Sequence, residues 1–233
     1  MKSKKNIPDI RNPFDPEGVL DEIDEEILGF QKWSDDVAKG ESFVELGMNQ
    51  LKSGTARNLG YARKNFEKAI RLGAVDRVFD ATSSALVTEP YGNSVPFILN
   101  ILELIGKING ENFATRFTKL GIMLFAGFSA DPNPVLAKRV LKLASEGGDA
   151  EGSFVLAILY LTGSEDENDA VEARRLLEVA LEDGYDKAED ALTMLEEGKF
   201  NNVQLKAAIA SDNPGAPLEI IRSNLHHNKR TLN

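Results

Sequence analysis

The residues that could carry out chemistry in this chain do not form a recognisable catalytic or metal-binding set. None of the 233 residues is cysteine, which excludes thiolate nucleophiles, disulfides and cysteine-ligated metals. The two histidines, His226 and His227, are adjacent in sequence. They therefore lack the i, i+4 spacing with which paired histidines face one metal from a helix. A hydrolase triad likewise lacks a plausible base.

Two short motifs resemble nucleotide and calcium sites, but each lacks a required residue. Gly106-Lys107 is not followed by serine or threonine and has no upstream P-loop glycine. Asp166 and Asn168 are spaced like the start of an EF-hand loop, but Ala170 stands where that loop requires glycine. We therefore predict that the protein is not an enzyme, binds no metal and needs no cofactor.

The elements that would position any functional residue are organised as a repeat. Displacing the sequence by 36 residues aligns 114–148 with 150–184, and eleven of the 35 aligned positions are identical. In the second unit, apolar residues recur at helical spacing up to Gly163 and again from Val171 until Gly184, a candidate left-handed helix end. Each unit therefore predicts a helical hairpin. A lone hairpin cannot bury its apolar face, so neighbouring hairpins must stack.

Two further details of the repeat carry structural predictions. Gly121 interrupts a helical pattern at a cost of about 1 kcal/mol relative to alanine, and the equivalent residues are Gly47 and Ala157. Small residues at this recurring site predict that another helix backbone passes close by. Pro134 stands where it can occupy the first turn of the second helix of its hairpin.

The repeat also carries a family resemblance. Its clearest unit reads Leu156-Ala157-x-x-Tyr160-x-x-Gly163 and then Ala173-x-x-x-Leu177-x-x-Ala180-x-x-x-Gly184. This pattern resembles the Sel1-like repeats, which are related to the tetratricopeptide repeats. The resemblance implies an all-α fold, a right-handed α-solenoid of stacked helix-turn-helix units. It also implies a role in binding other proteins.

The repeat divides the chain into three parts. Residues 1–40 are predicted to be a polar tail followed by an acidic amphipathic capping helix. Residues 41–200 are predicted to be the solenoid, with repeats at about 41–74, 75–112 (degenerate), 113–148, 149–185 and a partial 186–200. Residues 201–233 are predicted to be C-terminal capping helices and a basic tail. The helix at 15–38 could cap the first repeat or dock a partner, and both interpretations stay open.

The resemblance also indicates where a partner would bind. In tetratricopeptide-like hairpins the first helices line the concave face, and residues flanking the Leu-Gly pair point into it. The corresponding lining here is Glu41, Val44, Met48, Thr115, Thr118, Ile122, Glu151, Phe154 and Ile158. The two isoleucines could instead form core between adjacent first helices, and Phe154 is open to either interpretation.

Charge narrows the class of partner. The net charge is −10, with eleven acidic and two basic residues between 15 and 45, and six basic and two acidic residues between 57 and 77. Such a surface repels nucleic acid and anionic lipid and favours a basic or amphipathic protein or peptide. The same acidic residues could simply be solvated helix faces that keep the protein soluble.

These observations leave two classes of function. The first is a cytoplasmic adaptor or scaffold that binds a protein or peptide on the concave face. The second is a sequestering, immunity-type inhibitor that occludes a basic toxin or enzyme. We expect no membrane insertion, because the chain has no run of 18 apolar residues. Oligomeric state is left open.

Overall fold

The structure is a computed structural model that describes residues 19–88, 94–127, 131–163 and 167–196. Within these ranges all regular secondary structure is helical, which confirms the predicted all-α class for this part of the chain. The predicted N-terminal tail, the end of the partial repeat and the predicted C-terminal capping helices and basic tail lie outside the described residues. The helices are α1 (Val19–Leu51), α2 (Ala56–Arg71), α3 (Val75–Thr88), α4 (Val95–Ala126), α5 (Pro134–Glu146), α6 (Ala150–Gly163), α7 (Glu167–Glu182) and α8 (Lys187–Glu196).

Two helices run through predicted boundaries. Helix α1 is continuous across residue 40, so the predicted capping helix and the first helix of the first repeat are one 33-residue element. Helix α4 crosses the boundary at 112/113, with a single non-helical residue inside it, Asn109 (φ −138°, ψ 33°). This kink separates the second helix of the degenerate repeat from the first helix of the next one. Helix α5 begins at Pro134 as predicted, and Asn133 Oδ1 accepts the Leu136 N–H at its N-terminus.

Packing follows chain order. The most extensive contacts join α1 with α2, α4 with α5, and α6 with α7. Among the described helices, extensive contacts occur only between consecutive helices and between helices that are separated by one other helix. Examples of the second kind are α1 with α3 and α4 with α6. The described helices thus form successive hairpins, each contacting its neighbours. Among the described residues, no helix is both long and apolar enough to cross a membrane.

Three hairpins end in the same way. Gly73, Gly148 and Gly184 have φ of 85°, 85° and 87°, the left-handed conformation that glycine adopts without steric cost. In each case the next residue donates its backbone N–H to an alanine carbonyl five residues earlier, at 2.8–3.0 Å. This is the Schellman motif, which satisfies carbonyls at a helix C-terminus. The prediction of a left-handed residue at Gly184 is confirmed.

Equivalent residues of successive hairpins have equivalent environments. The second helices place an alanine, a large apolar residue and another alanine on the buried side, and all nine side chains are 0% exposed. These are Ala62, Phe66 and Ala69 in α2, Ala137, Leu141 and Ala144 in α5, and Ala173, Leu177 and Ala180 in α7. The sequence repeat therefore corresponds to a repeat in packing.

Gly121 provides close packing within a hairpin. A Cβ atom placed on it would overlap Leu141 Cγ, and one on the equivalent Gly47 would lie 2.8 Å from Phe66 Cε1. The side chain of the paired second helix therefore approaches this site. The prediction that another helix backbone passes close by is therefore wrong, because the group nearest to the glycine is a buried side chain of the paired helix.

Candidate partner-binding surface

An apolar groove lies between α3 and the C-terminal half of α4. It consists of two adjoining cavities of about 350 and 530 Å³ that share Val87 and Met123 as a common wall. The smaller cavity is bounded mainly by α3 and α4, and the larger one extends to the start of α5 near Val135. We define the α3–α4 groove by Phe79, Ser83, Val87, Lys119, Leu120 and Met123.

Helical periodicity brings these residues to one surface. Phe79, Ser83 and Val87 are spaced four apart on α3, so their side chains follow one face of that helix. On α4, Lys119 and Met123 are also four apart. Met123 is 38% exposed and Val135 is 71% exposed, so the groove presents apolar surface to solvent at both cavities. Exposed apolar surface within a groove is a common feature of protein interaction sites.

Arg116, at one end of the groove, is occupied by intramolecular contacts. Its guanidinium pairs with the carboxylates of Asp76 and Asp80 on α3. It also lies over the rings of Phe79 and Phe113, at 4.3 and 4.7 Å from their centroids. These contacts join α3 to α4 and neutralise the charge of Arg116. The arginine therefore holds the two walls of the groove together.

Lys119 and Ser83 supply uncommitted polar groups. Lys119 is exposed, and no carboxylate among the described residues lies within ion-pair distance of it. Ser83 Oγ is buried and has no hydrogen-bond partner within the described part of the chain. Buried hydroxyls without a partner are uncommon, because each loses hydration without compensation. Lys119 is therefore the accessible polar group at the rim of the groove, whereas Ser83 Oγ is enclosed by the protein.

The residues predicted to line the concave face fall into two sets. Val44, Thr118, Phe154 and Ile158 are buried, so they are inaccessible to a partner in this structure. Phe154 packs against Tyr185, with 5.0 Å between the ring centroids. The accessible set contains three exposed residues and two half-buried ones, namely Glu41, Thr115, Glu151, Met48 and Ile122.

Several predicted residues are brought together by contacts between helices. Asp149, at the start of α6, accepts hydrogen bonds from the hydroxyls of Thr115 and Thr118, both at 2.8 Å. It also accepts the backbone N–H of Gly152 at 2.7 Å, which caps the N-terminus of α6. Glu41 pairs with Arg77 of α3 at 3.4 Å. These polar contacts link each first helix to the next one.

Sequence reasoning missed the α3–α4 groove for two reasons. Its α3 wall belongs to the repeat described as degenerate, so no residue there was assigned to a binding surface. Its other wall includes Met123, which aligns with Leu159 of the next hairpin. Leu159 is 3% exposed, whereas Met123 is 38% exposed. Methionine in place of leucine at this position is a weak indication of a binding surface, since methionine is common at adaptable binding surfaces.

The side chains whose pKa values are shifted lie outside the groove, on α6 and α7. Burial and the nearby carboxylates of Glu172 and Asp169 raise the pKa of Tyr160. The hydrogen bond from Arg175 lowers the pKa of Glu172, and the same bond raises the pKa of Arg175. These shifts come from an exposed ion pair beside a partly buried phenol. Among the described residues, no group of three or more histidine, cysteine or acidic side chains is arranged to hold a metal ion.

Comparison with protein-family models, curated proteins and solved structures finds no match for this chain. Function is therefore inferred from the chemistry of the α3–α4 groove.

Proposed function

We propose that this protein is a non-catalytic adaptor, built as a Sel1-like α-solenoid, that binds a segment of another protein in the α3–α4 groove. Three observations support the solenoid: equivalent burial in successive hairpins, the shared Schellman motif, and packing limited to near neighbours in the chain. Stacked helical repeats form extended surfaces suited to binding proteins. The Sel1-like motif in the hairpin formed by α6 and α7 is the basis for naming that family.

The observation that carries the proposal is the shape and chemistry of the groove. Its two cavities adjoin at Val87 and Met123, so two neighbouring apolar side chains of one partner segment can each enter a cavity. Side chains three or four residues apart on a helix are about 5–6 Å apart, which suits adjoining cavities. Lys119 then favours an acidic residue beside the apolar pair. The proposed partner is an amphipathic segment with acidic character.

The acidic surface supports a second candidate, the sequestering inhibitor of a basic protein. Exposed carboxylates are concentrated on and between α7 and α8, at Glu178, Glu182, Asp183, Asp186 and Glu189. Charge complementarity of this kind accelerates association and makes it sensitive to salt. An inhibitor should bind one basic protein in a salt-dependent 1:1 complex through this surface. An adaptor should bind through the groove with weaker, peptide-like affinity.

Two groove substitutions test the adaptor proposal. We expect Met123→Asp and Lys119→Glu each to weaken partner binding by at least tenfold, about 1.4 kcal/mol, because they place negative charge in the apolar cavity or at its acid-binding rim. The measurement is affinity capture from native lysate, followed by calorimetric titration of the purified partner against each variant.

Val171→Asp is the matched control, because Val171 is 70% exposed on α7 and lies outside the groove. It should leave groove binding unchanged. The adaptor proposal fails if the captured partner binds both groove variants as tightly as the unmodified chain. Binding that is lost on reversing the α7–α8 carboxylates, with the groove variants unaffected, would favour the inhibitor.

A further inference from the structure

The first hairpin has an outer face, on the side away from α3, that carries exposed apolar and basic side chains. Phe43 of α1 and Lys68 of α2 mark this face, with Lys68 Nζ 4.2 Å from the Phe43 ring centroid. Leu46 lies three residues beyond Phe43 on α1, and Tyr61 and Lys64 lie on the same side of α2 as Lys68. We call these five residues the end face. Leu46 is 49% exposed and Tyr61 is 43% exposed.

Equivalent positions in later hairpins show what normally covers such a face. Leu46 corresponds to Leu120 and Leu156, which are 4% and 2% exposed. Phe43 corresponds to Phe117, which is fully buried and packs against Phe79 of α3 with 5.2 Å between ring centroids. In the hairpin formed by α4 and α5, the preceding helix α3 therefore covers this position. The end face has the same apolar residues, but it has no preceding hairpin among the described residues.

Charge indicates what kind of helix would cover the end face. Arg57, Lys64 and Lys68 line the α2 side, and no carboxylate of the described residues lies within ion-pair distance of any of the three. The acidic residue of that helix, Glu67, pairs with Arg63. Arg57 and Lys68 lie over the rings of Tyr61 and Phe43, so their charges border the apolar surface. An apolar face bordered by three cations without a carboxylate partner is complementary to an amphipathic helix with acidic residues.

The chain itself contains a segment of that chemistry. The N-terminal part of α1 contains Leu20, Ile23, Ile27 and Phe30 at helical spacing, together with Asp21, Glu22, Asp24, Glu25 and Glu26. Helix α1 is uninterrupted from Val19 to Leu51 and itself supplies part of the end face. This segment therefore cannot fold back onto the end face of its own chain. It extends away from that face along the helix axis.

We propose that two copies of the chain associate, with the acidic N-terminal part of α1 from one copy covering the end face of the other. Burial of Leu46, Phe43 and Tyr61 would supply apolar contact, and the cations of α2 would pair with the acidic cluster. A nucleic acid or an anionic membrane would also meet those cations. Neither supplies an apolar helix to cover Leu46, whereas a second copy of the chain supplies both the apolar and the acidic residues.

Sedimentation equilibrium of the full chain tests the proposal. We expect a concentration-dependent species of twice the 25.5 kDa monomer mass, weakened by added salt. Leu46→Asp and Lys64→Glu should each raise the dimer dissociation constant by about tenfold or more. Both residues are exposed within one copy, so circular dichroism melting curves recorded at a concentration where the chain is monomeric should be unchanged. Val171→Asp, at an exposed apolar position on α7, should leave the dimer intact.

A charge swap distinguishes a second copy from any other occupant. Adding Glu25→Lys and Glu26→Lys to the Lys64→Glu chain should restore part of the lost association, because the reversed charges again oppose each other. A monomer at every concentration up to the solubility limit would overturn the proposal, as would a dimer insensitive to Leu46→Asp. Binding to DNA or to phosphatidylserine vesicles that Lys64→Glu abolishes, without dimer formation, would assign the face to that ligand instead.

Discussion

Replacing Phe154 with alanine should lower the free energy of unfolding by about 3–5 kcal/mol, the range for deleting a buried phenylalanine side chain. Phe154 is 3% exposed and packs against Tyr185. The substitution removes apolar contacts and the interaction between the two rings, and it leaves a cavity that the surrounding helices only partly fill. Chemical denaturation monitored by circular dichroism measures the change.

Phe154→Leu is the control, because it keeps most of the buried apolar volume and should cost much less than Phe154→Ala. The sequence left Phe154 open to two roles, packing or partner contact, and this pair of variants separates them. If Phe154→Ala left unfolding unchanged while partner binding was lost, Phe154 would belong to an accessible binding surface.

Leu156→Ala should lower the free energy of unfolding by about 2–5 kcal/mol, whereas Leu46→Ala should cost much less. The two leucines occupy the same position in their hairpins, but Leu156 is 2% exposed and Leu46 is 49% exposed. Because the two leucines occupy the same position in their hairpins, the difference in unfolding free energy between the two variants reports how much of each side chain the rest of the protein covers. Denaturant titrations of both variants, at a protein concentration where the chain is monomeric, provide the comparison.

Equal losses for the two variants would contradict the difference in burial, because they would show that Leu46 is covered as completely as Leu156. A loss below about 0.5 kcal/mol for Leu156→Ala would show that this residue is not part of the core, because surface substitutions usually stay within that range.

Local features of the fold were predictable because their causes are local. Gly184 ends its helix in the left-handed conformation because only glycine adopts positive φ without cost, and Pro134 starts one because its φ is already helical. The continuity of α1 across residue 40 was not predictable in this way. Residue 40 is a glycine inside this helix, and a Cβ atom placed on it would lie 2.7 Å from Ala74 Cβ. The glycine at this site therefore serves close packing between α1 and the start of α3.

The candidate site was less predictable, because it depends on how helices are placed against one another. Helix α6 is buried at every residue from Gly152 to Leu159, so no face of that stretch is available to a partner. A family pattern assigns positions in a hairpin, but burial depends on what covers each hairpin. The α3–α4 groove arises where a weakly repeated hairpin meets a regular one, and no local motif marks that junction.

Distances between spin labels test most directly the central claim that the chain is a stack of helical hairpins. Gly60, Val135 and Val171 each lie two residues before the buried alanine of their second helix and are exposed. The chain has no cysteine, so pairs of introduced cysteines can be labelled cleanly.

Residue 60 is two hairpins from residue 135 and three from residue 171. Since packed helices lie about 8–10 Å apart, stacking predicts backbone separations of about 20 Å and 30 Å, respectively. Double electron–electron resonance should therefore give a longer distance for the 60/171 pair than for the 60/135 pair. A 60/171 distance equal to or shorter than the 60/135 distance would show that the chain folds back on itself, and would contradict the stack.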